Sequence, residues 1–360
     1  MIALNSECVS WHSEMVQTVP GVDHPDRPIP HARALPTSDR VIFNDWYAIA
    51  VLKTLEPGTV RSLQLLDHQL VLWRGTGDRI QVWEDRCPHR SVRLSAGKVV
   101  DDTIVCPYHG MVYDATGACV HVPAHPTYKP PRHACARVYP VQIRYGLVFV
   151  CLGDDPQAIA PFPEWDLPGY FTVLSGPHFC QTGGYRAIEN FLDVAHFAHV
   201  HTDILGDPAM PEVGDYQVTM DDRGVHLHGI EVWQPNAMGD GQGAMVRYDY
   251  SALRPLTAYL RKDDPDERCL ALLYCVTPVS EEECLSWMLM AVNYLDASQE
   301  SAAIAFQDLV IGQDIANLEA HNPKKLPLDP TAEFHVPCDR GSLAYRKWLR
   351  QLGVTYGVLR

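Results

Sequence analysis

Two short motifs, Cys87-Pro-His89-Arg90 and Cys106-Pro-Tyr-His109-Gly110, begin nineteen residues apart in this 360-residue chain. Together they spell C-x-H, sixteen residues, then C-x-x-H. Each half offers one thiolate and one imidazole. Four thiolates hold a [2Fe–2S] cluster at low potential because every ligand is anionic. Exchanging both thiolates of one iron for neutral imidazoles raises that potential by roughly several tenths of a volt. The donor set therefore suits a one-electron relay. The competing reading is a zinc knuckle, since two cysteines and two histidines also suit tetrahedral zinc. Zinc fingers usually pair cysteine with cysteine and histidine with histidine. Here each loop carries one of each, which favours the cluster.

A relay needs an acceptor. The segment Glu189-Asn190-Phe-Leu-Asp193-Val-Ala-His196-Phe-Ala-His199-Val-His201 holds three histidines and Asp193 within nine residues. Two histidines and a carboxylate on one side of Fe(II) leave positions open, as oxygen activation requires. On a regular helix His196 and His199 share a face while His201 lies well round the axis. Helical geometry thus favours His199 as the second ligand. An amphipathic helix with an incidental histidine cluster is the plainer alternative, but short His-rich tracts usually mark metal binding.

The first pair of motifs must be held by loops. Ile80-Gln-Val-Trp83 leads into one and Thr103-Ile-Val105 into the other. Val112-Tyr113-Asp114, a turn at Ala115-Thr116-Gly117, and Val120-His-Val122 read as antiparallel strands, with Tyr145–Leu152 a buried closing strand. Further on, Tyr216–Met220 and Val225–Val232 flank an Asp-Asp-Arg-Gly turn. His226 and His228 alternate onto one strand face, more consistent with solvent than with ligation. Cys269–Val279 and Cys284–Tyr294 read as longer strands. Helices follow at 298–320 and 340–352, the last closed by Gly353. The expected fold is α+β: an all-β cluster-binding domain, then an antiparallel sheet enclosed by long helices.

The pair C-x-H…C-x-x-H, followed by N-x-x-D-x-x-H-x(4)-H, resembles the pattern of Rieske non-haem iron oxygenases over roughly residues 42–357. The resemblance implies a Rieske [2Fe–2S] cluster on Cys87, His89, Cys106 and His109, and a mononuclear Fe(II) on His196 and His201. The helix must then end or distort near Val200. It implies that Asp193 bridges an iron histidine to His109 of a neighbouring subunit, in a homotrimer, and that Asn190 is a nearby polar residue. Gln313-Asp314, within a helix over 304–320, resembles the family's carboxylate segment and makes Asp314 the expected third ligand. Asp308 and Glu319 are its competitors. The implied domains are an extension (1–41), a Rieske domain (42–155) and a catalytic helix-grip domain (156–360).

Ala124-His125-Pro126, Phe162-Pro-Glu-Trp165, Val336-Pro-Cys-Asp-Arg340 and the tail Ala344–Gly357 are similar to the smaller hydroxylases and demethylases of this family. Saxitoxin-pathway Rieske hydroxylases are the nearest group by this reading, and methylxanthine N-demethylases and other Rieske demethylases more distant ones. Met111 departs from the family, which commonly has tryptophan there. The implied reaction is O2-dependent hydroxylation of a C–H bond in a small organic substrate, with a guanidinium alkaloid as the leading class. Oxidative N- or O-demethylation is the alternative. Electrons are expected from a reductase or ferredoxin.

Composition bounds the rest. A net charge of −15, from 44 acidic and 29 basic residues, opposes nucleic-acid binding, which needs a basic surface. No apolar run approaches the roughly eighteen residues that span a bilayer. Eleven cysteines show no disulfide framework, and most of those outside the cluster motifs lie in apolar runs, so buried thiols and a reducing cytoplasm are expected. The Pro-rich first forty residues lack an apolar stretch behind a basic start, so no secretory leader is expected. A bare electron carrier would leave the histidine segment unexplained. Phe197, Tyr248, Tyr250, Tyr274, Trp287 and Met290 could line a substrate site, but strand aromatics are more often core.

Overall fold

The computed structural model of the chain describes residues 39–77, 79–237, 241–264 and 267–360. Most of the expected N-terminal extension, 1–41, lies outside the described residues. Backbone contacts divide the chain into two units, one containing 49–63 and 69–150, the other 39–48, 64–68 and 151–360.

The first unit is built from short antiparallel strands. His68–Arg74 pairs with Ile80–Glu84, which pairs with Val138–Tyr139. Lys98–Val100, Thr103–Val105, Val112–Asp114 and Cys119–His121 form a four-stranded meander. Trp73 and Trp83 meet edge to face at 5.1 Å, the arrangement that the ring quadrupole favours. They share one core with Leu94, Ile104, Tyr113, Cys87 and Cys106. The two cysteine loops thus spring from strand ends and turn their sulfurs into that core.

The second unit is a seven-stranded sheet with helices. The strands are β1 (Phe171–Cys180), β2 (Gln217–Asp221), β3 (Gly224–Gln234), β4 (Ala244–Arg254), β5 (Thr257–Asp263), β6 (Cys269–Ser280) and β7 (Glu283–Val292). Their order is β1-β7-β6-β5-β4-β3-β2, antiparallel throughout. Two of these, β1 and β5, carry little periodic signal. In β1 the register shifts between Ser175 and His178, around Gly176-Pro177, because proline cannot donate to the ladder. Period-two alternation nevertheless sorts β4: Val246, Tyr248, Tyr250 and Ala252 are buried, while Met245 and Arg247 are exposed.

Four of the unit's helices position the site: α1 (Gly184–Leu192), α2 (Phe197–Val200), α3 (Glu300–Ala320) and α4 (Arg340–Gln351). Asp296 opens the turn before α3 by accepting the Ser298 N–H at 2.8 Å, and the Gln299 side chain accepts from the Asp296 N–H at 3.3 Å. α3 packs along β1, and α1 against β6. Sheet and long helix make the helix-grip arrangement of the expected α+β fold. Cys151, Cys180, Cys269, Cys275 and Cys284 are buried free thiols. Among the described residues no helix is long and apolar enough to cross a membrane.

Candidate metal centres

In the first unit Cys87 and Cys106 are each 1 % exposed. Backbone bonds shape their loops: the Cys87 N–H donates to Val92 O at 2.8 Å and the Cys106 N–H to Met111 O at 2.9 Å. Ser91 and Gly110 turn the two chains through positive φ, 59° and 66°. Burial raises the pKa of the Cys106 thiol, and the neighbouring Cys87 sulfur adds to that. The Tyr113 hydroxyl lies 3.1 Å from Cys87 Sγ and 3.8 Å from Met111 Sδ. His89 and His109 lie outside the core, their rings 4.7 Å apart, with Tyr108 at 3.8 Å from the His109 ring.

Sulfurs inward and imidazoles outward is the polarity that a two-iron cluster needs, one iron buried on thiolates and one exposed on histidines. A single zinc ion would draw all four donor atoms to within about 4 Å of one another. The arrangement of buried sulfurs and outward imidazoles fits such a two-iron cluster.

In the second unit the histidine segment is not one helix. α1 ends at Asp193, whose backbone is extended (φ −88°, ψ 144°). The freed Asp193 carboxylate accepts the N–H groups of Ala195 (3.2 Å) and His196 (3.1 Å) and starts a new turn. α2 then lasts four residues and closes at His201 (φ −113°, ψ 40°). This break corrects the regular-helix expectation. His199 points to solvent, while His201 is fully buried with its ring 5.1 Å from His196.

α3 brings the carboxylate. His196, His201 and Asp314 each present a ligand atom, and these atoms lie within 4.8 Å of one another. Asp314 Oδ1 is 3.1 Å from His201 Nε2 and 3.4 Å from His196 Nε2. His201 Nε2 and Asp314 Oδ1 are both buried, and neither makes a hydrogen bond. Such orphaned acceptors are costly unless something else binds them. The far side of each ring is already held: His196 Nδ1 by Asp193 Oδ2 and His201 Nδ1 by Gln313 Oε1, both at 2.8 Å. Nδ1–H donation to an oxygen fixes the tautomer and aims Nε2 inward, the usual arrangement around a metal. The residues fit a mononuclear metal ion.

Electrostatics point the same way. Burial disfavours the His196 imidazolium, but Asp193 and Asp314 outweigh it and lift its pKa to about 9. Burial likewise disfavours ionised Asp314 and Asp193. The imidazoles nonetheless hold the Asp314 carboxyl below its ordinary range, and His196 does the same for Asp193. Both carboxylates therefore stay ionised at neutral pH, Asp314 facing the two imidazoles and Asp193 behind His196.

The competing carboxylates are engaged elsewhere. Asp308 Oδ1 accepts from Ser175 at 2.5 Å and lies 2.9 Å from His178 Nε2, and Glu319 accepts the Gln181 N–H at 2.9 Å. Asn190 lies one turn upstream, its carbonyl accepting the Asp193 N–H at 3.2 Å, and its side chain forms no hydrogen bond to the three converging groups among the described residues. His226 and His228 sit on the outer sheet face, His226 bonded to Ser251 at 2.8 Å. Trp287 also faces away, donating to Ala48 O at 3.1 Å. Sequence reasoning missed Gln313 as the His201 partner and Tyr113 as the Cys87 partner. It also missed the clamp on α1. Arg346 of α4 donates to Glu189 at 2.6 and 2.9 Å and to Glu333 at 2.6 Å, and Arg186 donates to Glu333 at 2.7 Å.

Two family models match the chain: the Rieske [2Fe-2S] domain over residues 45–140 and the vanillate O-demethylase oxygenase C-terminal domain over 185–355. Methylxanthine N1-demethylase NdmA of Pseudomonas putida is 32% identical over 317 residues, 85% of this chain and 88% of the relative. A probable methylxanthine N7-demethylase, NdmC of Pseudomonas sp. (strain TJI-51), is 36% identical over 223 residues, covering 60% and 78%. The structure of Pseudomonas putida NdmA with caffeine superposes with a TM-score of 0.76 at 29% identity, covering 88% of this chain and 92% of that one. These relatives do not speak to the expected nearness to saxitoxin-pathway hydroxylases. The two donor sets and these likenesses together place the chain among the Rieske non-haem iron oxygenases, enzymes that use a [2Fe–2S] cluster and a mononuclear iron and are reduced by a partner reductase.

Proposed function

We propose that this oxygenase is an oxidative demethylase acting on a methyl group carried by nitrogen or oxygen on a small planar ring. The observation that carries the oxygenase chemistry is the convergence of His196, His201 and Asp314 with two unsatisfied buried donor atoms. These three residues are the proposed iron ligands, and Cys87, His89, Cys106 and His109 the proposed cluster ligands. When bound, the iron supplies O2 activation and insertion of one oxygen atom into a C–H bond. Hydroxylating a methyl on nitrogen or oxygen yields a hemiaminal or hemiacetal, which collapses to formaldehyde.

The chain's own residues set the site around the iron. Asp193 and Gln313 orient the two imidazoles. Phe191 stacks on Tyr274 at 5.0 Å and meets Tyr250 edge-on at 5.7 Å, and Phe197 packs on both iron histidines. This aromatic wall keeps the metal-facing interior dry and suits a flat substrate.

Hydroxylation of a guanidinium alkaloid, the first expectation, has less support. The reported relatives are named for demethylation. On β3, β4 and β5 the acidic residues Glu231, Asp249 and Asp263 alternate to the face opposite Tyr248 and Tyr250, leaving no carboxylate there for a cation among the described residues. The reading extends to a cytoplasmic homotrimer of domains 42–155 and 156–360, preceded by an extension over 1–41. In it electrons from a reductase or ferredoxin pass from His109 of one subunit through Asp193 and His196 of the next. Asn190 is assigned a supporting polar role beside Asp193.

An ¹⁸O2 single turnover of the reduced holoprotein tests this reading, with methylxanthines, methoxyaromatics and tricyclic guanidinium alkaloids as substrates. Formaldehyde release with loss of a methyl is expected. A hydroxylated alkaloid retaining one labelled oxygen would restore the hydroxylase reading.

A further inference from the structure

Cys180, the last residue of β1, and Cys284, near the start of β7, stand directly opposite each other in the antiparallel ladder. Opposite residues share a sheet face, so both thiols point the same way. Each is a free thiol, 4 % and 0 % exposed. In either kind of antiparallel pair the Cα atoms stand about 4.5–5.5 Å apart, inside the span of about 4.4–6.8 Å that disulfides use. The other two cysteines of the sheet lack such a neighbour: Cys269 faces Asp263, and Cys275 faces Thr257 and Trp287.

Closing a bond between them asks for little movement. Opposite Cβ atoms lie about 4.5–5.5 Å apart and a disulfide needs about 3.5–4.5 Å, so the strands must approach by about 1 Å. β1 can supply that. It is the edge strand of the sheet, hydrogen-bonded to β7 on one side, and its register already shifts between Ser175 and His178. Cys180 ends it between the exposed Phe179 and Gln181. The end of an edge strand opens locally at low cost, which also gives a small oxidant its way in.

The pair lies beneath the helices that carry the metal site. A Cβ on Gly184, the first residue of α1, would stand 3.9 Å from Cys284 Cβ. α3, which carries Asp314, packs along β1. Tyr274 shares the sheet face of Cys284, and its ring stacks on Phe191 of α1 at 5.0 Å. Burial pushes the Cys180 thiol up to about 12, and the Glu319 and Asp314 carboxylates add to that against Lys324. Burial also raises the Cys284 thiol, with the Cys180 sulfur adding to it. Thiols held protonated in this way react slowly with reagents from bulk water, so an oxidant made nearby has the advantage of local concentration.

We propose that Cys180 and Cys284 are a reversible oxidation site, a dithiol that closes to a disulfide by consuming hydrogen peroxide. This rests on the oxygenase reading above, since O2 reduced without substrate oxidation leaves such an enzyme as hydrogen peroxide. The Cys180 sulfur attacks one peroxide oxygen and the O–O bond breaks. The thiol proton goes to the leaving hydroxide, giving the Cys180 sulfenic acid and water. The Cys284 sulfur then attacks the sulfenic sulfur. The S–S bond forms, the S–O bond breaks, and the Cys284 proton leaves with the hydroxyl as a second water. Two electrons pass from the two thiols to one peroxide. Exchange with cellular thiols reopens the bridge.

In the test, the holoprotein is exposed to graded hydrogen peroxide, quenched with catalase, denatured in N-ethylmaleimide and digested without reductant for peptide mass spectrometry. A peptide linking Cys180 to Cys284, lighter by two hydrogen atoms and reopened by dithiothreitol, should appear ahead of any other cysteine pair of the second unit. Cys284→Ala should remove the link and drive Cys180 on to its sulfinic acid, which dithiothreitol does not reverse. The exposed Met245 gauges the dose. Both thiols recovered free in wild type after Met245 has become the sulfoxide would overturn the assignment. So would Cys180 sulfinic acid in wild type without the link. This arm needs no iron chemistry, so it reads the dithiol whether or not the oxygenase reading holds. A second arm admits O2 to the anaerobically reduced holoprotein with no peroxide added. The link should form there too, and should fail to form once the mononuclear iron is removed by chelation. Closure by added peroxide but not by O2 would overturn uncoupled turnover as the source of the oxidant and leave the dithiol site standing.

Discussion

His201 Nε2 and Asp314 Oδ1 lie 3.1 Å apart, both buried, and make no hydrogen bond to each other or to anything else. Two acceptor atoms at that distance repel unless a cation lies between them. Asp314→Ala removes the only anionic donor of the set, and His201→Ala removes the best-buried neutral one. Either change should lower iron, measured by metal analysis of the purified protein, to a small fraction of wild type. Cluster absorbance should remain, because its donors lie on the other unit. Full iron occupancy in both variants would refute the ligand set.

Asp193 does not face the metal; it holds His196 from behind at 2.8 Å. Asp193→Asn keeps the shape and one acceptor oxygen but removes the charge. Both metal centres should be retained, while the rate of electron transfer into the iron site and the turnover number fall by about two orders of magnitude. Loss of iron on this change would make Asp193 a structural or ligating group instead.

The hydroxyl of Tyr113 lies 3.1 Å from Cys87 Sγ inside a dry core. Donation to a thiolate stabilises the reduced, more negative cluster and raises its potential. Tyr113→Phe removes one such bond, worth about 1 kcal/mol. For a one-electron couple that corresponds to a fall of roughly 40 mV, measurable by redox titration followed by EPR. An unchanged potential would show that the hydroxyl donates elsewhere, Met111 Sδ at 3.8 Å being the available acceptor.

Asp45 is buried, and burial pushes its carboxyl up to about 6 from 3.8, against the opposing pull of the Trp46 N–H and Arg254. A group whose folded pKa is raised contributes stability that is full below its unfolded pKa and is lost as pH rises through the folded one. Its share of the stability should therefore be complete near pH 4 and gone above about pH 6. Ionising it in place costs on the order of 2–3 kcal/mol. Asp45→Asn should raise the urea midpoint at pH 8 and flatten the slope between pH 4 and 6. A variant no more stable than wild type at pH 8 would contradict this.

The sequence by itself made the proposed donor set of the first unit legible, because Cys87, His89, Cys106 and His109 sit in two local loops whose spacing is set by short strands and tight turns. It also located most of the second sheet, where Cys269–Val279 and Cys284–Tyr294 carry strong apolar runs. β1 and β5 escaped because a bulge at Gly176-Pro177 in the first and mixed polar residues in the second hide their period, whereas β4 alternates openly from Val246 to Ala252. The choice of His201 over His199 was not readable from helical spacing, since it turns on Asp193 leaving the helix and capping the next turn. That decision needs φ and ψ, not composition. Asp314, Gln313 and Arg346 reach the histidine segment only because α3 and α4 fold back onto the sheet and α1, long-range packing that no local pattern encodes. Lys262 is the clearest case. In sequence it is one charge among Arg261, Lys262 and Asp263. Cross-strand register alone turns it inward beside Tyr248 and leaves its neighbours facing out, because side chains alternate strictly along a strand.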